Sequence, residues 1–187
     1  LAVQDNRRAG VNARFKRAVR YMLRANAHAL QGNLDRALAD YDRAIKSDSG
    51  VFWIQLTRGD SYFLSGIYDE ALESYNRVLE LEPDEAAALS NRSLVLAAAP
   101  DETLHDAPKA LADARRANQL KPGQPAYVDA LAVAYAANGE FDRAVATEQR
   151  AINLLLPDDQ STRDAYGERL DLFQNNMVFR MTARSES

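Results

Sequence analysis

Residues 52–85 read FWIQLTRGDSYFLSGIYDEALESYNRVLELEPDE. Within this stretch Gly59, Tyr62, Gly66, Ala71, Tyr75 and Pro83 stand at offsets that recur before and after it. Gly32 and Gly66 are thirty-four residues apart, as are Ala37 and Ala71, and Tyr41 and Tyr75. Each position has a physical need. A turn between helices takes glycine, two touching helices take a small residue, and an aromatic ring fills the space between units.

Working outward, the apolar positions Phe15, Val19, Met22, Leu23 and Leu30 recur at helical spacing over about 12–31. Gly32-Asn33 stops that helix, and Leu34, Ala37, Leu38, Tyr41 and Ile45 mark one face of the next, over 34–46. Residues 1–11 read as a loose lead-in. After Glu82-Pro83-Asp84, where proline blocks continuation, a helix is expected over about 87–98. The next in-register alanine is Ala110, thirty-nine residues after Ala71, so five extra residues fall within 99–106. A second helix over 107–120 ends at Lys121-Pro122-Gly123. The pattern is regular again over 125–158, where Tyr135, Gly139, Phe141, Ala144, Ala151 and Pro157 keep the interval. A ninth helix over about 160–176 shows Tyr166, Leu170 and Phe173 on one face, with Asp158-Asp159 as its cap.

This pattern resembles the tetratricopeptide repeat, a helix–turn–helix unit of about thirty-four residues. The resemblance covers about 18–158 as four repeats: 18–51, 52–85, 86–124 with the insertion, and 125–158. A basic lead-in (1–17), a capping helix (159–176) and an apolar-then-polar tail (177–187) complete the division. It departs from the family pattern at Arg24-Ala25, Arg58-Gly59 and Arg92-Ser93, where Leu-Gly is usual, and at His28, where tyrosine is usual. The resemblance implies an all-α, right-handed α-solenoid whose concave groove is lined by the first helix of each pair.

Carried over residue by residue, the family's groove positions include Met22, Asn26, Trp53, Leu56, Asp60, Phe63, Asn91, Leu94, Asp129 and Val133. The N-terminal half of this lining is bulky. The C-terminal half is rich in alanine, through Ala97, Ala98, Ala130 and Ala136, and is expected to be roomy. Such a trough suits an apolar peptide or an amphipathic helix of a protein partner. Trp53 is read equally as a binding anchor and as contact between repeats. The family's clamp for a chaperone's C-terminal carboxylate is not expected: its places hold Met22, Asn26, Thr57, Ala87 and Asn91, without a cation. The alternative readings are a homo-oligomer, in which the apolar residues 177–181 enter a neighbour's groove or pack on its outer helices, and an accessory module of a larger protein. In the first case the bland outcome is a tail folded back on its own chain.

Other classes find little support. His28 and His105 are far apart, and neither a His-Glu-x-x-His pattern, a phosphate-cradling glycine loop nor a Gly-x-Ser-x-Gly elbow occurs. No catalysis, metal or cofactor is expected. Arg24, Arg58 and Arg92 recur every thirty-four residues; they invite an anion-binding reading, but pairing with carboxylates such as Asp40 and Asp113 is the expected role. Residues 1–24 carry seven basic groups against Asp5 alone within a chain of net charge −4. No aromatic platform or base-reading motif accompanies them, so nucleic acid is not the expected partner. No run of eighteen apolar residues spans a membrane. With no cysteine among the 187 residues, the cytoplasm and the periplasm both stay open. The start at Leu1 implies a missing upstream segment.

Overall fold

The computed structural model describes the backbone of residues 2–182 and the side chains of residues 12–182. Among the described residues there are nine α-helices and no strand. They are α1 (Ala2–Leu30), α2 (Leu34–Ser47), α3 (Phe52–Leu64), α4 (Tyr68–Leu81), α5 (Ala86–Ala98), α6 (Ala107–Leu120), α7 (Pro125–Ala137), α8 (Phe141–Leu154) and α9 (Gln160–Gln174). Consecutive helices pack as hairpins, α1 with α2 through α7 with α8, and α9 lies against α8. The chain is an all-α helical-repeat solenoid.

Small residues set how closely the hairpins close. Ala25, Ser93 and Ala132 on the first helices, and Ala37, Ala71, Ala110 and Ala144 on the second, have no exposed surface. At Gly59 the approach is tightest, since a Cβ there would lie 2.8 Å from Cε1 of Tyr75. Tyr41 and Tyr75 fill the interior beside these contacts. Three of the hairpin turns use the same closure. Gly32, Gly66 and Gly139 take φ of 74°, 70° and 74°, and the next residue's N–H reaches back to His28, Tyr62 and Tyr135 carbonyls respectively. Glycine carries no penalty in that left-handed conformation, so the helix ends satisfy their own carbonyls.

One expectation needs correction. The lead-in is not loose: α1 is continuous from Ala2 to Leu30. Residues 2–11 show no apolar period, but they contain no proline and hold Ala2, Gln4, Arg7, Arg8 and Ala9, all good helix formers, and Gly10 alone costs only about 1 kcal/mol. The insertion within 99–106 is itself ordered into structure. It forms a 3-10 turn, Glu102–Leu104, whose leucine packs against the core. Asp106 then caps α6 by accepting from the Lys109 N–H at 3.1 Å.

The largest core cluster lies toward the C-terminal end, where Leu96, Leu131, Val133 and Phe173 meet. Asp159 caps α9, accepting from the Thr162 N–H, and Tyr166 and Phe173 are its buried residues. After α9 the chain reverses at Asn176, whose φ of 56° is left-handed. The Met177 N–H returns to the Leu172 carbonyl at 2.9 Å, the closure that glycine makes in the hairpin turns. The segment that follows runs back over the solenoid.

Candidate functional site: the concave groove

The groove positions carried over from the repeat pattern fall on the first helices of the hairpins, and those of the N-terminal half are joined by tyrosine rungs. Tyr41 donates its hydroxyl to Asn26 at 2.6 Å. One repeat later Tyr75 donates to Asp60 at 3.0 Å, and the same carboxyl oxygen accepts from the Asn91 amide at 2.9 Å. Burial pushes the Asp60 carboxyl above the usual aspartate value, with both hydrogen bonds opposing the shift. Asn26, Asp60 and Asn91 are therefore engaged with neighbours. Trp53 meets Phe15 edge-on at 6.2 Å and packs, with Met22, on the first core cluster. Leu56 and Phe63 pack on the cluster around Tyr75. Leu23, Leu30 and Leu64, at groove positions of the same two helices, are open to solvent, the last two at 91% and 85% exposure.

The arginine ladder is absorbed by pairing. Arg24 holds Asp40 through two nitrogens, the second at 2.7 Å, and draws its carboxyl below the usual range. Arg92 grips Asp113 the same way, at 2.7 and 2.9 Å. Arg58 faces Ser74 where its neighbours have aspartate, and reaches Asp42 at 3.0 Å instead.

The C-terminal half is not a roomy trough. Ala97, Ala98, Ala130 and Ala136 are at most 2% exposed. Val133 belongs to the core, at 2% exposure, and is not at a surface that a partner could reach. Asp129 is buried too, bonded at 2.6 Å to Arg169 of α9. Groove positions that lie open in an inner repeat are covered in the last one by the helix stacked upon it. Leu94 keeps one side toward a cleft of about 510 Å³, shared with Phe63, Leu64, Tyr68, Tyr166 and Arg169.

The returning tail forms the rest of that cleft's wall, through Phe179, Arg180, Met181 and Thr182. Phe179 and Met181 pack on the C-terminal core, and Met181 also touches the cluster around Tyr75. The Met181 N–H donates to the Ala98 carbonyl at 2.8 Å. The Arg180 guanidinium donates to the Ala97 carbonyl at 3.2 Å. From α4 the Tyr68 hydroxyl donates to the Thr182 carbonyl at 3.0 Å. Arg169 lies over the rings of Tyr166 and Phe179, at 4.8 and 5.0 Å.

Beneath Arg169 sits Glu148, fully buried, its nearer oxygen 3.6 Å from the guanidinium and neither oxygen hydrogen-bonded. Desolvation, and then the charge of Asp129, push its carboxyl up to about 9. With one arginine for two buried carboxyls, Asp129 takes the ion pair and Glu148 keeps the proton. Sequence reasoning passed over Glu148, Arg169, Tyr68 and 179–181 as site residues. A signal existed for the first: Glu148 stands thirty-four residues after Ala114, at the register position that Tyr41 and Tyr75 occupy.

Stacked helix hairpins with a concave face define a helical-repeat scaffold. Family models place the repeat type. One described as "Tetratricopeptide repeat" matches residues 11–51, and one described as "TPR repeat" matches 59–98. The chain is a tetratricopeptide-repeat protein. Small glutamine-rich tetratricopeptide repeat-containing protein 2 of Saccharomyces cerevisiae is 35% identical over 75 residues, 40% of this chain. The match spans only 22% of that relative's length. Among solved structures, MamA superposes with a TM-score of 0.64 at 18% identity, over 86% of this chain and 92% of its own. The first TPR of Spaghetti (RPAP3), bound to the HSP90 peptide SRMEEVD, gives 0.59 at 20% identity, over 66% of this chain and 94% of its own. At these identities the structures share the fold.

Proposed function

We propose that this chain is a non-catalytic protein-interaction scaffold whose concave face takes an apolar or helical segment of a partner protein. The observation that carries this reading is the exposure of Leu23, Leu30 and Leu64, three leucines at the family's groove positions on α1 and α3. Isolated exposed leucines are common, but several at equivalent repeat positions support a contact surface. The solved relative with an HSP90 peptide supports a peptide-binding use of the fold, although the acidic character of SRMEEVD does not carry over. Of the residues at the clamp positions, Asn26 and Asn91 are held by Tyr41 and Asp60, and none of those positions carries a cation. The reading therefore favours an apolar segment over a carboxylate terminus. Among the described residues no helix is long and apolar enough to cross a membrane.

Panning the full chain against a random peptide library tests the proposal. Enriched peptides are expected to carry apolar residues at helical spacing, and Leu30→Arg with Leu64→Arg is expected to weaken them by at least about tenfold. Both leucines are exposed, so the double variant keeps its fold. Retention of every enriched peptide by the folded variant would sink the reading.

A further inference from the structure

The end of α5 differs from the other first-helix ends in a way that concerns ligand recognition. In the hairpins closed by Gly32, Gly66 and Gly139, the last carbonyls accept from N–H groups of the turn itself. Around the insertion no glycine is present, and the end stays open. Its carbonyls find four separate donors. Leu96 accepts from the Asp106 N–H at 3.0 Å, and Ala99 pairs with the His105 ring at 2.8 Å, both from the insertion. Ala97 and Ala98 accept from Arg180 and from the Met181 N–H. A helix C-terminus carries partial negative charge, so a guanidinium is suited to that place. The flanking Phe179 and Met181 pack on apolar core on either side.

We infer that the open end of α5, with the apolar wall beside it, is a recognition site for an extended peptide carrying an apolar–basic–apolar triplet, and that Phe179-Arg180-Met181 is its resident copy in cis. This rests on the scaffold reading and names the ligand of the C-terminal half of the groove. The occupant is extended rather than helical: residues 177–182 form no helix, and within 179–182 the Met181 N–H and the Thr182 carbonyl are bonded to the body. Two carbonyls and one tyrosine hydroxyl thus read backbone and charge, while the core reads the two flanking side chains. An incoming segment of the same pattern must displace the tail. Because the tail is tethered, its effective concentration is in the millimolar range, and the site is closed to weak competitors.

The probe is a fluorescein-labelled peptide, Asn-Met-Val-Phe-Arg-Met-Thr, matching residues 176–182. It is titrated by anisotropy against the intact chain and against the full-length double variant Arg180→Glu, Met181→Asp. The variant is expected to bind it saturably and the intact chain at least about tenfold more weakly. A probe with glutamate in place of its arginine is expected not to bind. No binding to a variant with unchanged circular dichroism overturns the inference, and so does equal binding to both chains. If the variant fails to fold, amide exchange on the intact chain decides. Excess unlabelled peptide should speed exchange at the chain's own Met181 N–H, and an unchanged rate overturns the proposal. A doubled molar mass by light scattering, lost in the variant, would show the site filled by a second copy and overturn occupancy in cis. Library peptides that still depend on Leu64 when the probe fails would remove this inference alone and leave the scaffold reading in place.

Discussion

The two halves of the solenoid are held together by opposite means. In the first two hairpins the helices are held by tyrosine rungs, Tyr41 on Asn26 and Tyr75 on Asp60, and α1 and α3 approach each other only thinly. In the last two, alanines let α5 and α7 pack directly. The tyrosine position becomes Ala114 and then Glu148, while the polar rung becomes Leu94 and then Val133. What the alanines make available is filled at once, by α9 and by the returning tail. Small residues in a lining therefore do not announce an empty space. They announce that something backbone-thick comes close.

The comparison breaks most visibly at Arg169. Its loss leaves Asp129 and Glu148 buried without a cation, and Arg169→Ala is expected to cost about 3–5 kcal/mol in urea unfolding. An unchanged midpoint would show that the C-terminal half does not depend on its ion pair. In the N-terminal half the corresponding weak point is steric. Gly59→Val puts carbon atoms into the ring of Tyr75 and is expected to cost about 1–3 kcal/mol by the same measurement. The subtlest difference is one of pH. Glu148 binds a proton in the folded chain that the unfolded chain releases near the ordinary glutamate value, so its contribution is fully present below that value. It is lost as pH rises toward about 9, with a slope of at most about 1.4 kcal/mol per pH unit. Glu148→Gln is expected to flatten that slope, and a slope equal to the parent's would place the titration elsewhere.

Most of the fold was legible because its determinants are local and periodic. Pro83 and the interval from Ala71 to Ala110 were enough to bracket α5 and to place α6 at Ala107–Leu120. The extension of α1 to Ala2 was not legible, because residues 2–11 carry no apolar period to read. Of the groove positions carried over, Met22, Trp53, Leu56 and Phe63 are partly buried against core clusters, whereas Asp129 and Val133 are hidden by α9 and the cluster it completes. Asp129 bonds to Arg169, forty residues further along the chain. No thirty-four-residue interval encodes a contact of that range. The tail was read as apolar and without a repeat to serve, and its direction depended on one asparagine holding a left-handed angle.

The open end of α5 has a consequence for how the protein is made. A hairpin closed by its own glycine is finished as soon as its second helix has left the ribosome, and an array of such units can fold in order of synthesis. The hairpin of α5 and α6 cannot be finished this way, since the donor to Ala97 lies 83 residues downstream. Until residues 180 and 181 emerge, two main-chain carbonyls in the middle of the solenoid stay with water. This long-range closure raises the contact order of an otherwise local fold, and couples the emergence of residues 180 and 181 to the centre of the molecule.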